Sequence, residues 1–599
     1  MRLKKLLSAA LPFAAVLVML SAFHVTAGAE AIIKVGDTEY ETVSAAMDHI
    51  YNTKTVELLA DIELISDENG IQFIEIPGER EFIPNGHKIT ITNNEVSVST
   101  DNATIAQQFE DVVVLGSSFA GTEYKLLCYF DGTYYRYSAQ IPVALNETTG
   151  TEYGGQSNDY LISGLQNAIN SAAAGDTIKL IRDIENSYQY SLAFGGDYGP
   201  SELTLDLNGH NLYKNYVYTS GSTTSAASRN FLNIYGSLKL INTASEKAKI
   251  YTVTDYLNPV TIYGGSLEVN ENIAIYAEGI EADNDASHPG TVIGTTGSYR
   301  GDLVINGGEI GLYDGEHTNY SDIEMYKDST VVINSGKVYN DVYCYPGSAT
   351  MNGGTVGRVI SKNVEITGGI ANGLQGWIST ISGGYVGKLI FRLDIVTSPT
   401  LSISGGKFGS VNTYSSSTGV VSADINDYIV EGYAAYSISE DVANTYGEPV
   451  HYNYEVLPFG EPSVVFTEDI TDAGYCAEAA DSEERTGALA VTVGLSEFEN
   501  LTPADIKSCG FFYWKTTQGD VGTQKSIALS ADAPQFYTVV YDITNYDQDI
   551  FILPYVILND GTTVLRGNSI NHKLSQLGDI GDKWLGTVDT MLANVGLSR

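Results

Sequence analysis

Basic residues are scarce. Lys and Arg number 32 against 73 Asp and Glu, a formal charge of −41 over 599 residues. A surface of that sign repels phosphate backbones and anionic lipid, which excludes nucleic acid as a partner. Cysteine is scarcer still, at four. None has the C-x-x-C spacing of a zinc site, and four thiols cannot staple a chain of this length. The scaffold must therefore rest on backbone ladders and apolar stacking. Cys476 and Cys509 share one C-terminal region and form the candidate disulfide. Past the N-terminus no apolar run approaches a membrane span. Nucleophile elbows of the G-x-S-x-G type are missing, and so are phosphate-cradling loops, because no Gly-Gly pair is followed by both the Lys and the helix that such a loop needs.

What is present points to β-structure. Tyr numbers 41, Gly 61, and 43% of residues are hydrophobic, which excludes a disordered chain. The segment 1–29 reads as a secretory signal peptide. Arg2, Lys4 and Lys5 precede an apolar stretch, and Ala27-Gly28-Ala29 offers a cleavage site. The expected location is extracellular, either released or associated with the cell surface, with no membrane span after cleavage.

One opening pattern occurs twice. The first copy runs from 43 to 63 and on to "FIPNGHKITI" (82–91); the second runs from 165 to 185 and on to "LTLDLNGHNL" (203–212). Each predicts a short amphipathic helix, a strand and an Asn-Gly turn. On the second helix Leu161, Leu165, Ala168, Ile169 and Ala172 share a face, expected to cover the first coil and block edge-to-edge pairing. A catalytic site is usually made once and a structural device repeats, so His87 and His210 read as turn residues.

A second repeat follows. "VTIYGGSL" (260–267), "LVINGGEIG" (303–311), "VVINSGKV" (331–338), "ATMNGGTVG" (349–357), "VEITGGIANG" (364–373), "STISGGYVG" (379–387) and "LSISGGKFG" (401–409) share an apolar residue, a small polar one and a glycine corner. Steps of about 15–28 residues suit stacked coils, each too small to bury a face alone. The fold class is all-β: a right-handed parallel β-helix with short capping helices, then a C-terminal β-sandwich. The expected divisions are 1–29 signal peptide, 30–156 an N-terminal β-helix-like unit, 157–458 the main β-helix, 459–570 the sandwich and 571–599 a helical tail. A β-propeller is the alternative.

The "GDTIKLIRDI…LDLNGHNL" opening, with its I-[STN]-G-G repeats, resembles the secreted, adhesin-like, pectate-lyase-like β-helix surface proteins of gut Firmicutes. The resemblance covers about residues 32–458. It implies a scaffold and an adhesin-like role, without assigned chemistry.

Aromatics supply the candidate binding residues. Tyr339, Tyr343 and Tyr345 fall on one parity of "KVYNDVYCYPG" (337–347), Tyr213, Tyr216 and Tyr218 cluster in "NLYKNYVYTS", and Trp377 stands in a loop-like "QGWIS". Such rings suit the stacking of sugars. Glu281, Asp283 and Asp285, beside His288, place hard oxygen ligands at alternate positions and are the candidate calcium ligands. The expected partners are extracellular glycans or matrix and host polymers. A β-helical polysaccharide lyase or glycoside hydrolase is the enzymatic alternative and predicts carboxylates converging on adjacent coils. The paired Asp, Asn-Thr-Asp and Gly-His-Gly motifs of polygalacturonase-like enzymes are missing, and no catalytic residue is assigned. A structural spacer of the cell envelope is the third reading.

Overall fold

The computed structural model describes residues 30–67, 70–130, 133–188, 190–215, 230–253, 258–277, 291–295, 298–312, 321–394, 399–459, 467–477, 485–494, 503–515, 522–525, 535–577 and 584–594. The signal-peptide segment, Tyr216, Tyr218, Glu281, Asp283, Asp285 and His288 lie outside them. With 58% strand and 11% helix, the chain is all-β. It divides into two compact units, one comprising residues up to 261 with 265–267 and 272–281, the other 262–264, 268–271 and the chain from 282.

In the first unit both copies of the opening pattern build the same series. Helix α1 (Val43–Met47) precedes strand Thr55–Leu58, which pairs in parallel with Glu81–Ile83. Ile62–Leu64 pairs with Ile89–Ile91, and Phe73–Ile76 with Ser97–Thr100, all in parallel. Helix α2 (Ala103–Val112) closes this copy, its N-terminus capped by Asn102, whose side chain accepts from Thr104 N–H.

The second copy repeats the scheme after helix α3 (Leu161–Ser171). Thr177–Leu180 pairs with Glu202–Asp206, Ile184–Asn186 with Leu212–Lys214, and Leu192–Phe194 with Leu232–Ile234. Each strand thus meets the third strand after it, and Glu202–Asp206 then meets Ser237–Ile241. Leu161, Leu165, Ala168 and Ile169 of α3 are buried as expected, while Ala172 is the extended C-cap. The edge itself is covered differently. Strand Tyr135–Asn146 pairs antiparallel with Thr177–Leu180. A helix has no spare backbone groups along its side, so only a strand can satisfy that row of N–H and C=O.

In the second unit four long strands run in parallel: Thr330–Met351, Thr355–Ile366, Ile370–Arg392 and Thr400–Ser415. Met351, Ile366, Ile381 and Ile403 stand in register in one inward column, each at most 2% exposed. Burial of each contributes about 1.5–3 kcal/mol. Beside this column runs a polar one. Asn334 Nδ2 donates to Asn306 Oδ1, Asn352 Nδ2 to Asn334 Oδ1, and Thr367 Oγ1 to Asn352 Oδ1, each at 2.8 Å. The ladder ends on the antiparallel strand Pro449–Pro458.

Two largely antiparallel sheets follow, the first with one parallel edge pairing between Thr467–Ala477 and Trp584–Thr587. One orders Gln535–Ile543, Arg485–Gly494, Thr467–Ala477 and Trp584–Thr587; the other joins Gly522–Lys525, Ile506–Lys515, Ile550–Leu558 and Val564–Arg566. Leu489, Val491 and Val540 of the first share a cluster with Phe511, Ile552 and Val556 of the second. The 571–599 stretch is more than a helical tail. Trp584–Thr587 extends a sheet, and Val588, Met591 and Leu592 of the following helix Val588–Asn594 are buried. The disulfide is not formed. Cys476 and Cys509 are buried in different apolar clusters, on strands of different sheets.

The glycine corners set the spacing of the long strands. Gly354, Gly369 and Gly384, evenly spaced along the chain, have φ of +72°, +84° and +77°. A Cβ on Gly369 would lie 2.6 Å from the carbonyl oxygen of Gly353. Gly86 has the same φ of +84° with nothing near its missing Cβ. Gly86→Ala should therefore cost about 1 kcal/mol, the left-handed penalty alone, and Gly369→Ala about 3 kcal/mol or more. Calorimetric unfolding of the two variants checks this; equal losses would contradict the close approach.

Candidate functional site

The duplicated Asn-Gly-His turn is a hydrogen-bonded clamp. Asn208 and Gly209 adopt φ of +48° and +80°, and Asn85 and Gly86 +50° and +84°. Asn208 Nδ2 donates to Leu180 O and Asn85 Nδ2 to Leu58 O, both at 3.0 Å. Asp183 Oδ1 accepts Asn211 N–H and Asp61 Oδ1 accepts Lys88 N–H, both at 2.9 Å. Each histidine Nδ1 then rests 3.3 Å from the same carboxylate oxygen. The ring closes a turn, and the aspartate that would orient a catalytic base is already engaged by backbone.

The candidate tyrosines do not form one surface. Tyr339, Tyr343 and Tyr345 share a parity in sequence, but Asn340, Asp341 and Val342 are buried consecutively and the register shifts there. The strand bends, and alternation restarts. Tyr339 lies under the Lys337 ammonium, 4.2 Å from the ring centre. Tyr343 packs edge-on to Tyr326 at 6.3 Å, and Tyr345 lies 4.9 Å from Trp377. Trp377 is not in a loop. It sits within strand Ile370–Arg392, 3% exposed, with the Arg392 guanidinium over its ring. Arg392 also lies 4.3 Å from the Tyr414 ring centre, and Asp394 holds it through two 2.8 Å bonds. A tryptophan covered in this way offers no face to a ligand.

Tyr213 belongs to a stack. Its ring lies 4.9 Å from Tyr251 at 5°, and Tyr251 lies 5.1 Å from Tyr276 at 8°. The three occupy one register position on successive strands. The Tyr213 hydroxyl donates to Glu185 at 2.9 Å, and burial with that carboxylate pushes its pKa up to about 12.

A different trio is open. Tyr160, Tyr188 and Tyr190 are 42%, 37% and 41% exposed. Tyr160 and Tyr188 stack at 5.7 Å and 15°, and Tyr190 adjoins Tyr188 at 6.1 Å. Sequence reasoning passed over them. The available signal was their setting, "SNDYL" and "NSYQYS", where turn-forming neighbours leave a ring no strand face to bury on.

Carboxylates do converge on adjacent strands, as the enzymatic alternative requires. Asp322 accepts Asn340 N–H at 2.7 Å and Asn340 Nδ2 at 3.2 Å. Asp341 receives Arg358 Nε at 3.1 Å on both oxygens, and Arg358 also reaches it through a second nitrogen. Asp322 and Asp341 are both buried, with oxygens bound to protein groups, so this pair joins strands rather than facing a substrate. Among the described residues no group of three or more His, Cys, Asp or Glu is placed to hold a metal. Compared with family models, curated proteins and solved structures, the chain matches none.

Burial pushes the Asp322 carboxyl up to about 7, against the Asn340 hydrogen bonds. The folded state therefore holds a proton that the unfolded chain releases near 3.8. Stability of the second unit should be greatest below pH 4 as far as this group is concerned, and fall as pH rises toward 7, by at most about 1.4 kcal/mol per pH unit. Denaturant unfolding across that range, with Asp322→Asn beside the parent, checks it. The variant should show the flatter profile; parallel profiles would contradict the assignment.

Proposed function

We propose that this is an exported, adhesin-like protein that binds extracellular glycans or matrix polymers on a stiff scaffold. The finer fold belongs to the same reading: a right-handed parallel β-helix with helical caps, followed by a β-sandwich. Pairing of each strand with the third after it supports the winding, and parallel crossovers are right-handed in nearly all proteins. The apolar cluster shared by the two C-terminal sheets supports the sandwich. Residues 1–29, read as a signal peptide, support export, and the resemblance of the repeats to adhesin-like β-helix proteins points the same way.

The binding reading is carried by one observation, the exposed and mutually stacked Tyr160, Tyr188 and Tyr190. Apolar ring faces beside hydroxyls match the alternating apolar and hydroxylated faces of a pyranose. The Tyr213–Tyr251–Tyr276 stack and the Tyr345–Trp377–Arg392 group are assigned to the scaffold. A glycan array with the chain from Glu30 onward, followed by sizing of each bound glycan, tests the reading. Retention of intact glycan, weakened about tenfold by Tyr188→Ala and unchanged by Tyr251→Ala, is the expected result. Shortened glycan would move the assignment to a polysaccharide-degrading enzyme. An array without a single retained glycan would end the binding reading.

A further inference from the structure

The first unit also contains a cavity of about 680 Å³, whose lining includes none of the three exposed tyrosines. Its origin is local. Helix α2 presents Ala103, Ala106, Gln107 and Glu110 at helical spacing on one side. Two alanines leave a shallow floor, and the longer residues stand at its margin. The opposite wall comes from the hairpin of Lys125–Phe130 and Tyr135–Asn146, with Tyr153 of Thr151–Gly155.

The walls are fixed. Tyr137 is buried, and its hydroxyl donates to Ala106 O at 2.8 Å, which ties the hairpin to α2. Ser171, at the end of α3, donates to Phe130 O at 3.1 Å and ties α3 to the same hairpin. Phe130 and Tyr135 lie 4.8 Å apart, and Phe130 is 41% exposed. Preorganised aromatic walls of this kind lose little entropy when a ligand arrives.

The polar groups define what fits. Gln107 and Asn170 supply amides and Thr151 a hydroxyl, while Glu110 is the single acidic side chain in the lining and no Lys or Arg is present there. An anion would find no counter-charge. Aromatic faces interleaved with amide, hydroxyl and carboxylate groups suit an uncharged, polyhydroxylated ring, whose C–H face packs on aromatics and whose hydroxyls both donate and accept. The volume falls in the roughly 300–1,000 Å³ range of small-molecule sites, which suits a short saccharide rather than a continuous polymer.

We propose that the cavity between α2 and the Phe130–Tyr135 hairpin binds a short, neutral saccharide, such as the end of a glycan chain. This rests on the glycan reading and adds a second, end-recognising site to the tyrosine platform.

The lining supplies its own reporter. Cys128 faces the cavity and is partly exposed, whereas Cys344, Cys476 and Cys509 are buried. Burial pushes the Cys128 thiol up to about 11, so labelling is best run with iodoacetamide at mildly alkaline pH. The full chain would be labelled with and without neutral methyl glycosides and their di- and trisaccharides, with choline as the cationic control. Saturation-transfer NMR would follow the same probes. The expected result is that at least one neutral saccharide slows Cys128 labelling. Gln107→Ala and Phe130→Ala, both at exposed positions, should each weaken that saccharide about tenfold, and Tyr188→Ala should not.

Three results would overturn the proposal. Protection by choline alone would make the site a cation site. A saccharide that binds but is lost on Tyr188→Ala and kept on Gln107→Ala would leave the glycan reading standing and remove this cavity from it. Failure of every saccharide, here and on the array, would remove both. Unchanged thermal unfolding of the variants separates lost binding from lost fold.

Discussion

Each long strand of the second unit must pass its neighbour at a corner where there is no room for a side-chain carbon. At Gly369 the chain turns left-handed, and its Cα rests against the carbonyl of Gly353. The same contact recurs at Gly354 over Gly336 and at Gly384 over Gly368. Backbone meeting backbone at every step fixes the register between strands. Once register is fixed, whatever occupies a given repeat position stacks on its own kind. The column of Met351, Ile366, Ile381 and Ile403 and the asparagine ladder both follow from that one constraint.

Stacking of like on like also decides where binding can occur. A tyrosine in register with another tyrosine spends its face on that neighbour, as Tyr213 does on Tyr251. Tyr188 and Tyr190 are exposed outside the paired strands, and Tyr160 is exposed at the entry to α3. Polar groups follow a similar division. Asp322, Asp341 and Arg358 lie within the ladder and bind one another's strands, whereas Gln107 and Glu110 lie on a helix beside an open cavity. Two of the cations serve the scaffold: Arg392 lies against two rings and an aspartate, and Lys337 lies over Tyr339.

Much of the strand order was legible because it is written in repeats. The Asn-Gly-His turns announced two equivalent openings, and their matching hydrogen bonds have the same lengths. Glycine spacing pointed to stacked coils of short strands, and the strands that run through those glycines are 12 to 23 residues long. Side-chain direction was less legible. Alternation predicts a shared face only while a strand is straight, and the bend at Asn340–Val342 divides Tyr339 from Tyr343. Gly373 and Gly376 gave the Trp377 stretch the look of a loop, yet both lie inside strand Ile370–Arg392. The cavity left no local signature, because α2, the hairpin and the end of α3 contribute to it from residues 103 to 171. Nor could spacing in sequence report that Cys476 and Cys509 belong to different sheets.

In-register parallel pairing should separate successive repeats by one strand spacing. Val304, Val332, Thr350, Glu365, Thr380 and Ser402 occupy one outward column, linked by five successive pairings. Nitroxides at Val304→Cys and Ser402→Cys in a Cys128→Ser background measure its length by electron–electron resonance. Five steps of about 4.8 Å place the labelled Cα atoms roughly 24 Å apart, and one narrow distance distribution around that value is expected. A broad distribution, or a separation well beyond it, would contradict the in-register stacking of these strands.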